Sequence, residues 1–269
     1  MNNELKKIVK VMTIAGSDSG AGAGIQADLK TFHALGVYGT SVITAVTAQN
    51  TLGVTSVLEM PTEMVVDQID AILTDINTDA VKIGMMANME IIRAIVERLT
   101  YYRISKLVLD PVMVAKGGDR LLRENAVNVM RDEMLPLATV VTPNVPEAEI
   151  LAQMEIRNNA QVRKAAEIIV DQGANSIVLK GGHFSGDAVD VFYDGDSFVE
   201  FVSPRVNTKN SHGTGCTFSS AIAAGLGKGL TLVQSIEVAK EYVTGALRAA
   251  KSIGQGHGPL EHFFEFDIQ

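Results

Sequence analysis

The 269-residue chain reads as an open α/β sheet with helices on both faces. Three observations predict it. Short β-rich apolar runs alternate with longer helical stretches along most of the sequence. Those runs are almost continuously apolar, as strands buried on both faces must be. No Pro/Gly/Ser linker, charge block or repeat interrupts the pattern, so residues 1–269 are read as one domain.

The expected parallel strands are residues 9–15, 41–47, 56–60, 80–83, 106–110, 139–142 and 176–179. Helical patterns lie between them. Residues 24–35 open with glycine and end at Gly36, a C-cap signal. Residues 62–74 carry Val65, Val66, Ile69, Ile72 and Leu73 at helical spacing. Residues 89–99 place Ile91, Ile92, Ile95, Val96 and Leu99 on one stripe, and residues 161–172 and 232–250 are similar. Such alternation implies a parallel sheet. One stretch differs: residues 189–193 and 197–202 flank Asp194-Gly195-Asp196, and Asp-Gly between β-rich runs signals a hairpin. A small antiparallel edge is expected there. A TIM barrel is the rival architecture, and the late hairpin and helix-rich C-terminal quarter favour the open sheet.

Composition narrows the function. With 23 basic and 31 acidic residues the formal charge is −8, which argues against nucleic acid or an anionic membrane as main partner. The chain is 46% hydrophobic and 20% charged, so disorder is not expected. One cysteine excludes a disulfide framework and cysteine-rich metal sites, and fits a reducing cytoplasm. The apolar run at 8–15 is broken by Lys10 and leads into a glycine-rich loop, so a first strand is expected rather than a signal peptide. No stretch approaches the ~18 uncharged apolar residues of a membrane helix.

In open α/β sheets ligands bind beyond the carboxyl ends of the strands. The polar residues there are Gly16 to Gly24, then Gln49-Asn50, Gly84-Met85, Asp110, Asn144 to Glu147, and Lys180 to His183. Loops at strand ends are always polar. Yet Asp110 directly after Val108-Leu109, and Glu147 directly before an apolar helix, suit chemistry better than solubility. Gly22, Gly24 and Ala27 match a relaxed dinucleotide pattern, but no carboxylate ends the second strand to hold a ribose, so a dehydrogenase is disfavoured. Gly227-Lys228 is followed by glycine, so no Walker A sequence occurs there.

Residues 207–217 are the most informative segment. Gly213 and Gly215 stand where a helix begins, and free amides at a helix start attract anions. Lys209 and His212 add donors nearby. Cys216 falls in the first turn, where a thiol pKa drops from ~8.5 toward neutrality. A core cysteine is most often a small hydrophobe; the Gly213-Thr214-Gly215-Cys216 setting favours a thiolate that takes a proton from an attacking hydroxyl. The five histidines show no zinc-ligand spacing. Met85, at a strand end, could pack on a flat ring.

These residues carry a family resemblance. Ala15-Gly16-Ser17-Asp18-Ser19, residues 24–31, Ala48-Gln49-Asn50, Lys82-Ile83-Gly84-Met85, Leu109-Asp110-Pro111-Val112-Met113, residues 142–147, Lys180-Gly181-Gly182-His183 and residues 207–217 resemble the hydroxymethylpyrimidine/phosphomethylpyrimidine kinases of thiamine biosynthesis. That family is ribokinase-like, so the resemblance implies a three-layer α/β/α sandwich, often a homodimer. It implies ATP-dependent phosphorylation of 4-amino-5-hydroxymethyl-2-methylpyrimidine, and of its monophosphate to the pyrophosphate. By the same resemblance Cys216 is the general base, and Gly213 and Gly215 belong to the anion hole. Asp110 and Glu147 organise Mg²⁺. Lys180, Asn144 and Thr208 face ATP. Gln49 reads the pyrimidine edge, with Asp28 and Met85 near the ring.

The chemistry is consistent. Phosphoryl transfer needs positioning and charge neutralisation more than covalent work. Mg²⁺ takes one or two carboxylates plus phosphate oxygens and water. An aminopyrimidine edge needs a donor and an acceptor, and an amide supplies both. The first loop departs slightly from the family's usual glycine pattern. Ala115 stands where pyridoxal-accepting relatives carry a second cysteine, before Lys116, which favours the pyrimidine substrate over a pyridoxal kinase. A binding protein without catalysis is the alternative from another class.

Overall fold

The computed structural model describes residues 8–113, 124–181 and 186–266. Nine strands form one sheet, in the order β3-β2-β1-β4-β5-β6-β7-β8-β9. They are β1 (Lys10–Asp18), β2 (Tyr38–Asn50), β3 (Gly53–Glu59), β4 (Ala80–Ile83), β5 (Leu107–Leu109), β6 (Val140–Val141), β7 (Ile177–Lys180), β8 (Ala188–Tyr193) and β9 (Phe198–Ser203). The helices are α1 (Gly24–Ala34), α2 (Thr62–Ala71), α3 (Met89–Tyr101), α4 (Glu124–Val129), α5 (Val145–Ala152), α6 (Asn159–Asp171), α7 (Thr214–Gly227) and α8 (Leu232–Ala249). Strands β2, β1, β4, β5, β6 and β7 run parallel, and the open sheet excludes the barrel.

Alternate residues of the central strands feed two cores, as the strand period of two requires. Met12, Ile14, Val81, Ile83, Leu107 and Leu109 pack under α2, α3, α5 and α6. Val11, Ala80, Val108, Val140 and Val178 face the opposite layer, with Phe32 of α1, Phe218 and Ile222 of α7, and Ile236 of α8. The result is the expected three-layer α/β/α sandwich.

Both edges are antiparallel, where the sequence indicated one. The Asp194 hairpin forms as expected: β8 pairs antiparallel with β9, and Asp194 Oδ1 accepts the amides of Asp196 and Ser197. At the other edge β3 pairs antiparallel with β2, so the run expected at 56–60 is not a parallel strand. The turn is built by Asn50, whose side chain accepts the Leu52 amide at 2.8 Å. It lacks the Asn-Gly or Asp-Gly signature that marks tight hairpins. Strand β2 also runs further than expected, so Gln49 sits within it rather than in a following loop.

Candidate active site

The carboxyl ends of the parallel strands open into a cleft of about 650 Å³. Gln49, Met85, Asp110, Asn144, Glu147, Lys180, Gly213, Gly215 and Cys216 all line it. The residues gathered from separate strand ends therefore converge on one site. Asp28 and Thr208 do not line it; the Thr208 hydroxyl accepts the Asn210 amide in its own turn. Lys209 is exposed and also outside the lining. Ala115, Lys116 and His183 lie outside the described residues.

The anion end is built by α7. Gly213, the residue before its first turn, has φ +86°, and a Cβ there would collide with the Gly22 carbonyl. A Cβ on Gly215 would stand 3.2 Å from Lys180 Nζ and 3.5 Å from Asp110 Oδ2. Glycine thus lets the helix start approach both the first loop and the Lys180–Asp110 pair. The opening amides of a helix have no partner within it, and they carry the positive end of its dipole.

Asp110 Oδ1 takes the Lys180 ammonium at 2.9 Å and faces the Thr142 hydroxyl at 3.3 Å. Burial works against the Lys180 charge, but Asp110 and Glu147 hold its pKa above the ordinary lysine range. Glu147 closes a capping box with Asn144: each accepts the other's backbone amide at 2.9 Å. The Asn144 side chain and one Glu147 oxygen are therefore committed to the start of α5, and Glu147 still faces the cleft. Burial, with Asp110 adding to it, pushes the Glu147 carboxyl up to about 7, against the pull of Lys180 and the Asn144 amide. Two carboxylates facing one cleft beside one lysine suit a hard divalent cation that completes its shell with phosphate and water. Among the described residues no group of three or more His, Cys, Asp or Glu could hold a metal alone.

Cys216 lies on the cleft floor and the Gly24 amide bonds it. Burial pushes its thiol up to about 11; Lys82 pulls it down, while Asp28 and Asp110 push it further up. The expectation of a thiol near neutrality is corrected: burial, Asp28 and Asp110 raise the pKa by more than Lys82 and the Gly24 amide lower it.

Lys82 and Asp28 explain the floor. Both side chains are sealed from solvent. Lys82 Nζ meets both Asp28 oxygens at 2.9 Å. Asp28 also accepts the hydroxyls of Thr13 at 2.6 Å and Ser220 at 2.7 Å. Asp28, expected near a substrate ring, is a saturated buried counter-ion instead. Lys82 was not singled out as functional from the sequence, because a lysine within an apolar run gives no sign that its head turns inward.

The other end of the cleft holds Gln49, Met85, Asp18 and His212. The Met85 sulfur would lie 3.2 Å from a Cβ on Gly16, so glycine gives it room at the wall. Asp18 is 3% exposed and accepts the amides of Gly20, Gly22 and Ala23. Its fourth partner is His212 Nε2, at 2.9 Å. Burial opposes the Asp18 charge, yet these bonds hold its pKa below the usual carboxylate value. Asp18 had no assigned role in the sequence reading; an aspartate followed by alternating glycines was the available signal.

Residues 18–261 match the family model described as phosphomethylpyrimidine kinase. The chain is 53% identical over 253 residues to a thiamine biosynthesis bifunctional protein of Geobacter sulfurreducens; the match covers 94% of this chain but 52% of that protein, so the chain spans about half of it. It is 52% identical over 256 residues to the hydroxymethylpyrimidine/phosphomethylpyrimidine kinase of Rhizobium meliloti, covering 94% of this chain and 96% of that one. Among solved structures, an ADP complex of Bacillus subtilis pyridoxal kinase superposes with a TM-score of 0.90 at 37% identity, covering 95% and 98% of the two chains. The ribokinase-like sandwich, the convergent cleft and these likenesses agree, and the chain belongs to the phosphomethylpyrimidine kinase family.

Proposed function

We propose that this chain transfers phosphate from ATP to 4-amino-5-hydroxymethyl-2-methylpyrimidine, and then to its monophosphate, giving the pyrophosphate. The observation that carries it is the convergence of the helix start at Gly213–Cys216, the Lys180–Asp110 pair and the Gln49 amide on one cleft. The names of the relatives agree. The start of α7 receives the transferring phosphoryl group, and Lys180 neutralises charge on the ATP side. Asn144 orders the adjoining turn. Asp110 and Glu147 would hold Mg²⁺, which supplies charge neutralisation of the phosphates when bound. Cys216 takes the alcohol's proton as the thiolate and becomes the thiol, and the Lys82 ammonium lowers the cost of that charged form. The loose transition state asks little of that base until the oxygen–phosphorus bond forms. Gln49 holds the ring edge and Met85 its face.

The chain acts as a homodimer in this reading. Strand β3 leaves Val57, Leu58 and the turn residue Leu52 exposed at one sheet edge, an apolar strip that a second copy would cover. Sedimentation at micromolar concentration reads this directly, and a monomer throughout would contradict it. A reducing cytoplasm suits a chain whose single cysteine must remain a free thiol.

Phosphorylation of pyridoxal is the second reading, favoured by the superposition on the pyridoxal kinase. ADP release and product mass are measured in parallel with hydroxymethylpyrimidine, its monophosphate and pyridoxal. The pyrimidine pair should turn over best. Turnover of pyridoxal with none of hydroxymethylpyrimidine would overturn the proposal.

A further inference from the structure

We propose that Asp18 is a positioning residue for substrate specificity: through His212 it fixes which way the Gln49 carboxamide faces, and so which hydrogen-bond pattern the cleft offers a ring edge. This rests on the reading that Gln49 meets the substrate ring.

The inference follows from counting hydrogens. Asp18 is buried, ionised and surrounded by donors: three loop amides and His212 Nε2. A carboxylate only accepts, so His212 Nε2 must carry a hydrogen and donate it. That nitrogen then has no lone pair for another donor. Yet Gln49 Nε2 stands 3.2 Å from the same nitrogen, which sets N–H against N–H. Asp18 already takes the one hydrogen, so the only Gln49 atom that can face it is the amide oxygen, as the second acceptor of a shared hydrogen. At the other end Gln49 Oε1 lies 3.1 Å from the Thr47 hydroxyl. Thr47 has one hydrogen, and the Ser17 carbonyl takes it at 2.9 Å. The hydroxyl oxygen is then an acceptor, and the amide NH₂ donates to it. Turning the carboxamide over, with Oε1 toward His212 and Nε2 toward Thr47, removes both clashes, His212 sharing its hydrogen between Asp18 and Oε1. The reverse orientation sets N–H against N–H at one end and lone pair against lone pair at the other. Side-chain amide orientation follows from such a network rather than from atomic positions alone.

The backbone holds this relay in place. The His212 amide donates to Gly258 at 3.0 Å, and the Gln49 amide donates to Ser19 Oγ at 2.8 Å. The oriented carboxamide keeps one N–H and one carbonyl lone pair uncommitted. That couple matches a ring nitrogen beside an exocyclic amine. Reversing it would set donor against donor and acceptor against acceptor on the same ring.

Two measurements test this. The first is a long-range ¹H–¹⁵N spectrum of the imidazoles, five in the chain, with His212 assigned by a His212→Gln variant. The native enzyme should show His212 protonated at Nε2. A neutral ring protonated at Nδ1 instead would overturn the inference without any turnover assay. The second is kinetics of Asp18→Asn and Thr47→Val, the latter acting at the far end of the amide and leaving the Asp18–His212 contact in place. Each should raise KM for hydroxymethylpyrimidine, Asp18→Asn by about tenfold, with kcat and the KM for ATP within about twofold. The preference for the pyrimidine over pyridoxal should fall in the same variants. If that preference is unchanged in both, the inference is overturned. If native enzyme releases no ADP with either alcohol, the functional reading fails, while the spectrum still tests the relay.

Discussion

Lys82–Asp28 and Lys180–Asp110 stand on either side of the same helix start, and each closes at 2.9 Å. Adjacent serines of α7 face them. Ser220 commits its hydroxyl to Asp28 at 2.7 Å, whereas Ser219 is nearer the Gly215 carbonyl, at 3.0 Å, than Asp110, at 3.4 Å. Asp28 is saturated by short bonds and sealed. Asp110 has one short partner, and its lysine is 16% exposed in the cleft. The difference separates a fixed charge pair from an adjustable one. Asp28 has no free oxygen to offer a ligand, while Lys82 lines the cleft and pulls the Cys216 thiol pKa down. The open pair can exchange partners when phosphate and a cation arrive.

Swapping the damage between the pairs should break this contrast most clearly. Lys82→Met strands a buried carboxylate and should cost about 3–5 kcal/mol of stability, read by denaturant melts. Lys180→Met leaves Asp110 without its lysine but facing the cleft, so it should cost less stability than Lys82→Met while lowering kcat by about a hundredfold. Equal stability losses in both variants would dissolve the distinction.

A smaller effect sharpens the electrostatics of the open side. The Glu147 pKa is raised from 4.5 to about 7, chiefly by burial. The folded state therefore binds more protons than the unfolded state between those values. Its contribution to stability is full below the unfolded value and is lost as pH rises toward 7. In metal-free buffer the native protein should lose stability over that window relative to Glu147→Gln. Parallel curves would contradict the shift.

Much of this was legible in the sequence because it rests on period and punctuation. The continuous apolar runs at 80–83 and 176–179 became β4 and β7 within a residue, and Asp194-Gly195 placed its hairpin. The Gly213–Gly215 stretch marked the start of α7, where a Cβ on Gly213 would meet the Gly22 carbonyl. What failed depends on distant partners. The inward lysine at 82 and the saturation of Asp28 involve residues far apart in the chain, whereas the Asn50 turn is local and was missed because it lacks an Asn-Gly or Asp-Gly pair. The Cys216 thiol went the wrong way because sequence shows the helix terminus and hides the burial and the two carboxylates. Asp18 and His212 are 194 positions apart, and nothing local announces their bond.

The central claim is that the alcohol's proton leaves to Cys216 on the floor between the two pairs. Single-turnover phosphoryl transfer by Cys216→Ala, with saturating ATP, Mg²⁺ and hydroxymethylpyrimidine, tests it most directly. The rate should fall by about 10²–10⁴, with ATP binding intact. A rate equal to the native enzyme's would show that the helix start and the charges suffice without the thiol, and would contradict the claim.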